Sequence, residues 1–332
     1  MNILLTHTPG MRANYYGPRP LQALRRLGRV KLREAETPLA TADLIAAAAD
    51  CDIIVSDRNT PGEAALFESS PRLLSFHRCA VDIRTVDVEA ASRNGVLVTR
   101  ASPGFVDSVV EWVLGTMIGL ARGIERYAAA YHVGKVPEPT MGRQLAGSAI
   151  GIIGYGQIGS RLAEVANYLG MRVFVTDPYK QVPPDTGRQV ALGELLHAAD
   201  FVVCLAVATP ETEHLVGADA FARMRPEAFF INGSRGNLVD EDALAAALRQ
   251  GRIAGAALDV GREPDQMPSR RLAQYPNVIA TPHIGGLTPP AIEGQAMETV
   301  EQVRAVVEGR MPHNAVNAQY ATRLRQHLGA KA

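Results

Sequence analysis

Cysteine is scarce in this chain, and neither sign of charge is in excess. The 332 residues include only three cysteines, Cys51, Cys79 and Cys204, which lie far apart. No CxxC pair exists, so the sequence indicates neither a disulfide framework nor a cysteine zinc site. Lysine plus arginine and aspartate plus glutamate both number 34. This neutral balance supplies no electrostatic reason to expect a nucleic acid or an anionic membrane as a partner.

Long apolar runs and closely spaced histidines are also missing. The longest apolar run, residues 109–121, is interrupted by Glu111 and is too short to cross a bilayer. The first residues, MNILLTHTPG, lack the basic and long apolar regions of a signal peptide, so the simplest expected location is the cytoplasm. The histidines show no ligand spacing such as HxxxH, and no metal is expected.

Short apolar runs alternate with helical patterns, which is typical of α/β folds with parallel sheets. In the first hundred residues, the expected strands are ILLT, DIIVS, LLSF and VLV. A second series starts at Ala149 with six runs, AIGII, RVFVT, DFVVCL, AFFI, AGAAL and NVIA. Six strands with helices between them match the strand count of a dinucleotide-binding domain.

Two long helical patterns lie outside these series. Residues 102–130 predict one connecting helix that is buried on much of its surface and contributes to a subunit interface. After Thr288, the segment AIEGQAMETVEQVRAVVEG predicts a helix that returns to pack on the first domain.

The segment GIIGYGQIGSRLA contains Gly154, Gly156 and Gly159 in the spacing GxGxxG, between an apolar strand and a helix. In that context the first glycine permits a tight turn, the second lets the backbone approach a pyrophosphate, and the third lets helix and strand pack closely. The anion would lie at the helix N-terminus, where free N–H groups favour it.

Asp177 ends the next strand, 18 residues after Gly159. A carboxylate there accepts hydrogen bonds from the adenosine ribose and repels a 2′-phosphate. NAD is therefore the expected cofactor, although the nearby Lys180 leaves some room for NADP.

Three polar side chains follow three strands of the second series. NGSRG with Arg235 follows AFFI, DVGREP with Glu263 follows AGAAL, and TPHIGG with His283 follows NVIA. The carboxyl ends of parallel strands share one edge of a sheet, so these residues are expected near the glycine turn. Arg235 offers a planar fork of donors for a carboxylate. His283 can exchange a proton with a substrate oxygen during hydride transfer to a 2-oxo acid, and Glu263 beside it would favour the imidazolium.

Each of these residues also has a structural interpretation, since Arg235 could cap a strand and His283 could be a satisfied loop residue. NGSRG comes near the nucleophile elbow GxSxG, but Asn232 replaces the first glycine, so a hydrolase acting through Ser234 is not favoured. His77 and Arg78 end the LLSF run, and both a place in the cleft and packing at the core edge remain open.

At this point the sequence resembles the D-isomer-specific 2-hydroxyacid dehydrogenases, from about Ile53 to Val316. The segments GIIGYGQIGSRLA, INGSRGNLVDEDAL, AALDV followed by EP, and TPHIGGLT carry the resemblance. It implies an α/β fold of two Rossmann-like domains. A six-stranded parallel NAD-binding domain would span residues 101–288, and a flavodoxin-like substrate domain would combine residues 1–100 with 289–332. The length argues against a regulatory domain after this core, and a homodimer through the cofactor domain is expected.

The resemblance also implies site residues, with Arg235, Glu263 and His283 as the catalytic ones. Substrate contacts are expected from Ala80, Val81 and Asp82 together with Arg235 and His283. Cofactor contacts are expected from Gly154, Gly156, Gln157, Ile158, Gly159, Asp177, Ala206, Val207, Thr212, Gly233, Ser234, Asp259, Gly285 and Gly286, with Asp259 at the nicotinamide amide.

This chain departs from the family pattern at three places. DVGREP has Gly261 where phenylalanine is usual and is one residue shorter, which puts the reach of Glu263 in question. The substrate loop reads AVDIRTVD, with Asp82 where a glycine is expected. Asp82 either pairs with Arg78 or Arg84, or binds a polar group of a larger substrate. CLAVA has Val207 where proline is common.

The leading functional prediction is an NAD-dependent oxidoreductase acting on a small D-2-hydroxy acid or its 2-oxo acid. Phosphite oxidation is a second enzymatic interpretation, and formate oxidation is disfavoured because that relative lacks a glutamate beside its histidine. A non-catalytic NAD(H)-sensing protein of the same fold is the alternative from another class.

Overall fold

A computed structural model describes residues 1–329 of the chain, apart from the side chain of Leu328. These residues form two compact units. The first comprises Met1–Gly104 and the chain from Pro289 onward, and the second comprises Phe105–Thr288. Each helix in the described part of the chain is too short or too polar to span a membrane.

The secondary structure alternates between strands and helices through both units. The strands are β1 (Asn2–Leu5), β2 (Arg29–Leu32), β3 (Ile53–Ser56), β4 (Ser75–Arg78), β5 (Leu97–Arg100), β6 (Ala149–Ile153), β7 (Arg172–Thr176), β8 (Arg188–Gln189), β9 (Phe201–Cys204), β10 (Phe229–Asn232), β11 (Gly255–Leu258) and β12 (Val278–Ala280). The helices are α1 (Pro9–Tyr15), α2 (Pro18–Arg25), α3 (Thr41–Ala48), α4 (Ala64–Ser69), α5 (Val88–Arg93), α6 (Val106–Arg122), α7 (Ile124–His132), α8 (Gln157–Tyr168), α9 (Leu192–Ala198), α10 (Ala218–Arg223), α11 (Glu241–Arg249), α12 (Arg270–Ala273), α13 (Pro289–Val307) and α14 (Thr322–Gly329). Short 3-10 turns cover Pro210–Thr212, Gly236–Leu238, Pro264–Gln266 and Ala318–Tyr320.

The first unit contains a parallel sheet in the order β2-β1-β3-β4-β5. This is the flavodoxin-like strand order. The four predicted runs form β1, β3, β4 and β5, whereas β2 is an edge strand that alternates exposed and half-buried residues. The returning helix α13 belongs to this unit, because Ala296, Val300 and Val303 are buried in one cluster with Ile3 and Leu5.

The second unit contains a parallel sheet in the order β12-β11-β10-β9-β6-β7-β8. All six predicted strands are present, and the two-residue β8 pairs with β7 as a seventh. The six-strand prediction is corrected to seven at this edge. A strand of two residues, both exposed, carries no apolar run by which the sequence could reveal it.

The single helix predicted over residues 102–130 is wrong, because the chain forms two helices there. Gly123 adopts φ 64° and ψ 31°, in the left-handed region that ends α6. Helix α6 buries Val109, Val110 and Val113, whereas α7 has no buried residues. The expected burial therefore applies only to α6.

Candidate active site

The glycine turn joins β6 to α8 in the second unit. Gly154 has φ 101°, and a Cβ there would lie 2.8 Å from backbone atoms of Leu205 and Ala206. A Cβ at Gly159 would lie 2.1 Å from the carbonyl oxygen of Gly154. At Gly156 a Cβ would meet nothing within 4 Å, so this backbone faces open space. The first and third glycines are thus required by packing, and the second leaves room for a ligand.

Helix α8 presents its first N–H groups beside that open space. Its N-cap residue, Gly156, has no side chain to cap them. Behind them, Gly159, Leu162, Ala163 and Ala166 are buried at helical spacing and anchor the helix to the core. Free N–H groups at a helix start favour an anion, so this turn fits the pyrophosphate of a dinucleotide.

Asp177 lies just after β7, next to the glycine turn. Its Oδ2 accepts a hydrogen bond from the Tyr155 N–H at 2.7 Å, and its Oδ1 accepts from the N–H groups of Tyr179 and Lys180 at 2.8 and 2.9 Å. Burial raises the pKa of Asp177, but these backbone N–H groups outweigh it and hold the pKa below its usual value. The half-buried group is therefore anionic at neutral pH, as a ribose-binding carboxylate must be.

The turns after β9 and β10 are tied together near this site. The Ser234 hydroxyl donates to the carbonyl of Ala206 at 2.6 Å, and the Thr212 hydroxyl donates to that of Val207 at 2.8 Å. Val207 is 77% exposed. A Cβ at Gly233 would touch Trp112 at 3.5 Å. Several residues remain predicted cofactor contacts: Ala206, Val207, Thr212, Gly233, Ser234, Gln157, Ile158 and Gly286.

Arg235 stands at the start of the 3-10 turn after β10. It is half-buried, and its Nη1 donates to the carbonyl of Ser234 at 2.7 Å. The next residue, Gly236, packs backbone to backbone against Gly261, since a Cβ at Gly236 would lie 2.2 Å from the Gly261 carbonyl. The turn that carries Arg235 is therefore in contact with the loop after β11.

Asp259 holds the loop of residues 281–286, the histidine loop, through three hydrogen bonds. It is 4% exposed, and its Oδ1 accepts from the Thr281 hydroxyl at 2.6 Å and from the Ile284 N–H at 2.8 Å. Its Oδ2 accepts from the Gly285 N–H at 2.7 Å. Trp112 of α6 donates its indole N–H to the Thr281 hydroxyl at 3.0 Å. Trp112 could not be predicted from the sequence, because 169 positions separate it from Thr281 and no local pattern links them.

His283 is half-buried and adopts φ 57°, in the left-handed region. Its Nδ1 lies 2.9 Å from the main-chain carbonyl oxygen of Asp265. Because a carbonyl only accepts, Nδ1 carries the proton in this contact. Glu263 is exposed, and its carboxylate makes no hydrogen bond or ion pair within residues 1–329. The expected Glu263–His283 pair is thus absent from this arrangement.

The predicted substrate loop belongs to the first unit. Asp82 pairs with Arg84, whose Nη2 lies 2.6 Å from Oδ2 and whose Nε lies 3.0 Å from both carboxylate oxygens. Arg78, the other proposed partner, is completely buried and donates to the carbonyls of Asp57 and Thr60. Of the two arrangements considered for Asp82, the structure contains the pairing with a neighbouring base.

His77 is also completely buried, so neither it nor Arg78 faces a cleft. Its Nδ1 lies 2.8 Å from the Thr99 hydroxyl and its Nε2 lies 2.9 Å from the Ser75 hydroxyl. Burial lowers the pKa of His77 to about 3. It is a neutral core histidine. No group of three potential metal ligands occurs among the residues that the structure describes.

A family model, described as "D-isomer specific 2-hydroxyacid dehydrogenase, NAD binding domain", matches residues 114–285. The chain belongs to this family. The matched residues lie within the second unit, which is therefore the NAD-binding domain, and NAD is the cofactor that its glycine turn and Asp177 fit.

Relatives of known sequence agree with this assignment. The chain is 34% identical over 291 residues to a D-3-phosphoglycerate dehydrogenase of Methanocaldococcus jannaschii, covering 86% of this chain and 55% of that protein. It thus spans about half the length of that enzyme. It is 31% identical to a glyoxylate reductase of Korarchaeum cryptofilum, covering 86% of this chain and 88% of the relative. The crystal structure of the TT0316 protein from Thermus thermophilus is 31% identical with a TM-score of 0.86, covering 95% of this chain and 100% of that one.

Proposed function

We propose that this chain is an NAD-dependent oxidoreductase that interconverts a small D-2-hydroxy acid and its 2-oxo acid. The observation that carries the proposal is the convergence of three turns in the NAD-binding domain. Asp259 holds the loop of His283, and Gly236 joins the turn of Arg235 to the loop after β11. A cationic fork and a proton-exchanging ring on one sheet edge, beside a dinucleotide turn, suit hydride transfer to a carbonyl.

Each proposed residue has a distinct task. Arg235 binds the carboxylate of the acid through its planar guanidinium and polarises the neighbouring carbonyl. His283 holds a proton at Nδ1 against the Asp265 carbonyl, which leaves Nε2 to give a proton to the substrate oxygen or to take one from it. The cofactor, when bound, would supply the hydride as NADH in reduction and accept it as NAD+ in oxidation. Ala80, Val81 and Asp82 are proposed to contact the substrate on the basis of the family resemblance.

The substrate is proposed to be small. The relatives named above act on glyoxylate or on phosphoglycerate by their names, and the chain covers most of the first kind and about half of the second. The Asp82 carboxylate is paired with Arg84, which favours a role in the loop itself over selection of a polar substrate group.

The test is NADH consumption with a panel of 2-oxo acids: glyoxylate, hydroxypyruvate, pyruvate, phosphohydroxypyruvate, and branched and aromatic acids. We expect turnover with at least one acid, a D-2-hydroxy product, and a loss of about a hundredfold in kcat for His283→Asn. An NADH-binding protein that turns over none of them faster than His283→Asn would instead support the NAD(H)-sensing alternative. Phosphite with NAD is assayed in parallel to test phosphite oxidation, the second enzymatic interpretation.

A homodimer through the NAD-binding domain is part of the proposal. Helix α7 and the segment after it expose large apolar side chains: Ile124 at 50%, Tyr131 at 60%, Val133 at 70%, Val136 at 82% and Met141 at 100%. Large apolar side chains exposed in this number over one short segment support an interaction surface there. Sedimentation analysis should give a dimer that Val136→Asp weakens. The cytoplasmic location stays a prediction from the sequence.

A further inference from the structure

We propose that the main-chain carbonyl of Asp265, rather than the carboxylate of Glu263, orients His283. This inference rests on the proposed catalytic role of His283. The Nδ1 to carbonyl oxygen distance of 2.9 Å is that of a well-formed hydrogen bond. It makes Asp265 a positioning residue that acts through its backbone.

An unusual backbone conformation aims this carbonyl at the ring. Asp265 and Gln266 both have positive φ, 59° and 60°, in the left-handed region. A positive φ is uncommon at residues other than glycine, and it persists only where the surrounding structure stabilises it. Aspartate tolerates this region better than most residues. Two in succession turn the chain so that the Asp265 carbonyl meets the histidine.

The loop closes on itself to hold this conformation. The Gly261 N–H donates to the Gln266 carbonyl at 2.7 Å, and the Glu263 N–H donates to the Met267 carbonyl at 3.1 Å. A Cβ at Gly261 would lie 2.6 Å from the Met267 carbonyl oxygen, so this closure requires glycine. The two departures of DVGREP from the family pattern, its glycine and its shorter length, thus belong to one tight loop.

Arg262 connects this loop to Glu213 and His214, which lie outside it. Its guanidinium forms an ion pair with Glu213 and lies 3.0 Å from Nε2 of His214. Glu263 lies within the loop that the Gly261–Gln266 hydrogen bond closes, where its side chain is exposed and its N–H donates to the Met267 carbonyl. The site therefore has a neutral acceptor where a carboxylate was expected.

A carbonyl and a carboxylate differ in what they do to the ring. Both keep the proton on Nδ1 and direct Nε2 outward, but only a carboxylate adds a full charge that favours the imidazolium. The charged and titratable side chains around this loop include Asp259, which is bonded to the loop of His283, Glu263, Asp265, the Arg262–Glu213 pair with His214 beside it, and Arg235 on the turn that packs against Gly261. Glu263→Gln should therefore leave both the tautomer of His283 and the pH profile of reduction unchanged.

The experiment compares three variants, Asp265→Gly, Asp265→Val and Glu263→Gln. Glycine keeps the carbonyl and accepts a positive φ, whereas a β-branched valine resists it. The first readout is the nitrogen NMR spectrum of the histidine rings without cofactor or substrate, with the His283 signal assigned from His283→Asn. We expect the Nδ1–H tautomer in the wild type, Asp265→Gly and Glu263→Gln, and a mixture of tautomers in Asp265→Val. Because no turnover is required, this readout stands even if every 2-oxo acid fails.

The second readout is kcat with the best acid across a range of pH. We expect a loss of about tenfold in Asp265→Val, a fraction of what general acid–base catalysis contributes, and near wild-type kcat in Asp265→Gly. Equal damage in both Asp265 variants would place the effect in the side chain and overturn the proposal. So would a changed tautomer or a shifted pH profile in Glu263→Gln.

Discussion

Replacing Asp259 with asparagine tests the support beneath the histidine loop. The buried carboxylate accepts three hydrogen bonds, two at Oδ1 and one at Oδ2. An asparagine of the same shape has one acceptor oxygen. If that oxygen keeps the contacts of Thr281 and Ile284, the amide NH2 faces the Gly285 N–H, donor against donor.

The magnitude follows from these contacts. A hydrogen bond to a charged group contributes about 1.5–3 kcal/mol, and a buried donor left unpaired costs about 1–3 kcal/mol. The two remaining bonds lose their charge assistance, while removal of a buried charge recovers some desolvation free energy. We therefore expect Asp259→Asn to destabilise the loop by about 2–4 kcal/mol, which is about thirtyfold to several hundredfold in the opening equilibrium.

The assay is hydrogen exchange of the Ile284 and Gly285 amides without cofactor. Emission of Trp112 is a second readout, because it is the only tryptophan of the chain and its indole bonds to Thr281. Asp242→Asn is the matched control, since the Asp242 side chain is 85% exposed and its ion pair with Arg271 lies at the surface. Unchanged protection of both amides in Asp259→Asn would refute this account of the loop.

Three further predictions concern the cofactor, the glycine turn and pH. Asp177→Ala should narrow the preference for NADH over NADPH by about tenfold or more, because a like-charge contact is removed; equal use of both cofactors by the wild type would contradict the assignment of Asp177. Gly159→Ala should lower the free energy of unfolding by about 1–3 kcal/mol or more and weaken NADH binding, because its Cβ would lie 2.1 Å from a carbonyl oxygen. The control Gly294→Ala, with nothing within 4 Å, should not destabilise. Burial lowers the pKa of His7 to about 4 and that of His77 to about 3, from 6.5. Both histidines are neutral in the folded protein at neutral pH, so their full contribution to the free energy of unfolding is present above about pH 6.5. Below that pH, the free energy of unfolding should fall by about 1.4 kcal/mol per pH unit for each histidine, until the pH reaches the pKa of that histidine in the folded state. Urea unfolding between neutral pH and pH 4 measures this slope, which His77→Asn should reduce; a slope that the substitution leaves intact would contradict the role of His77.

Features that depend on neighbours along the chain could be predicted from the sequence. Continuous apolar runs predicted ten of the strands, because a strand buried on both faces needs apolar residues at every position. The glycine turn was predicted for a similar reason. Its glycines stand at a fixed spacing between an apolar strand and a helix, and in the structure Gly154 and Gly159 leave no room for a Cβ whereas Gly156 borders open space. The edge strands β2 and β8 were missed because exposed strands need no such run.

Contacts between distant parts of the chain were decided only by the tertiary structure. The sequence offered both Arg84 and Arg78 as partners of Asp82, but Arg78 lies in a buried strand and donates to main-chain carbonyls, whereas Arg84 pairs with the Asp82 carboxylate. The spacing in DVGREP raised the question of whether Glu263 reaches His283. The answer depends on the positive φ of Asp265 and on closure of the loop at Gly261, because backbone dihedrals determine where a carbonyl points. The sequence specifies which side chains are present, whereas the group that contacts His283 is the main-chain carbonyl of Asp265.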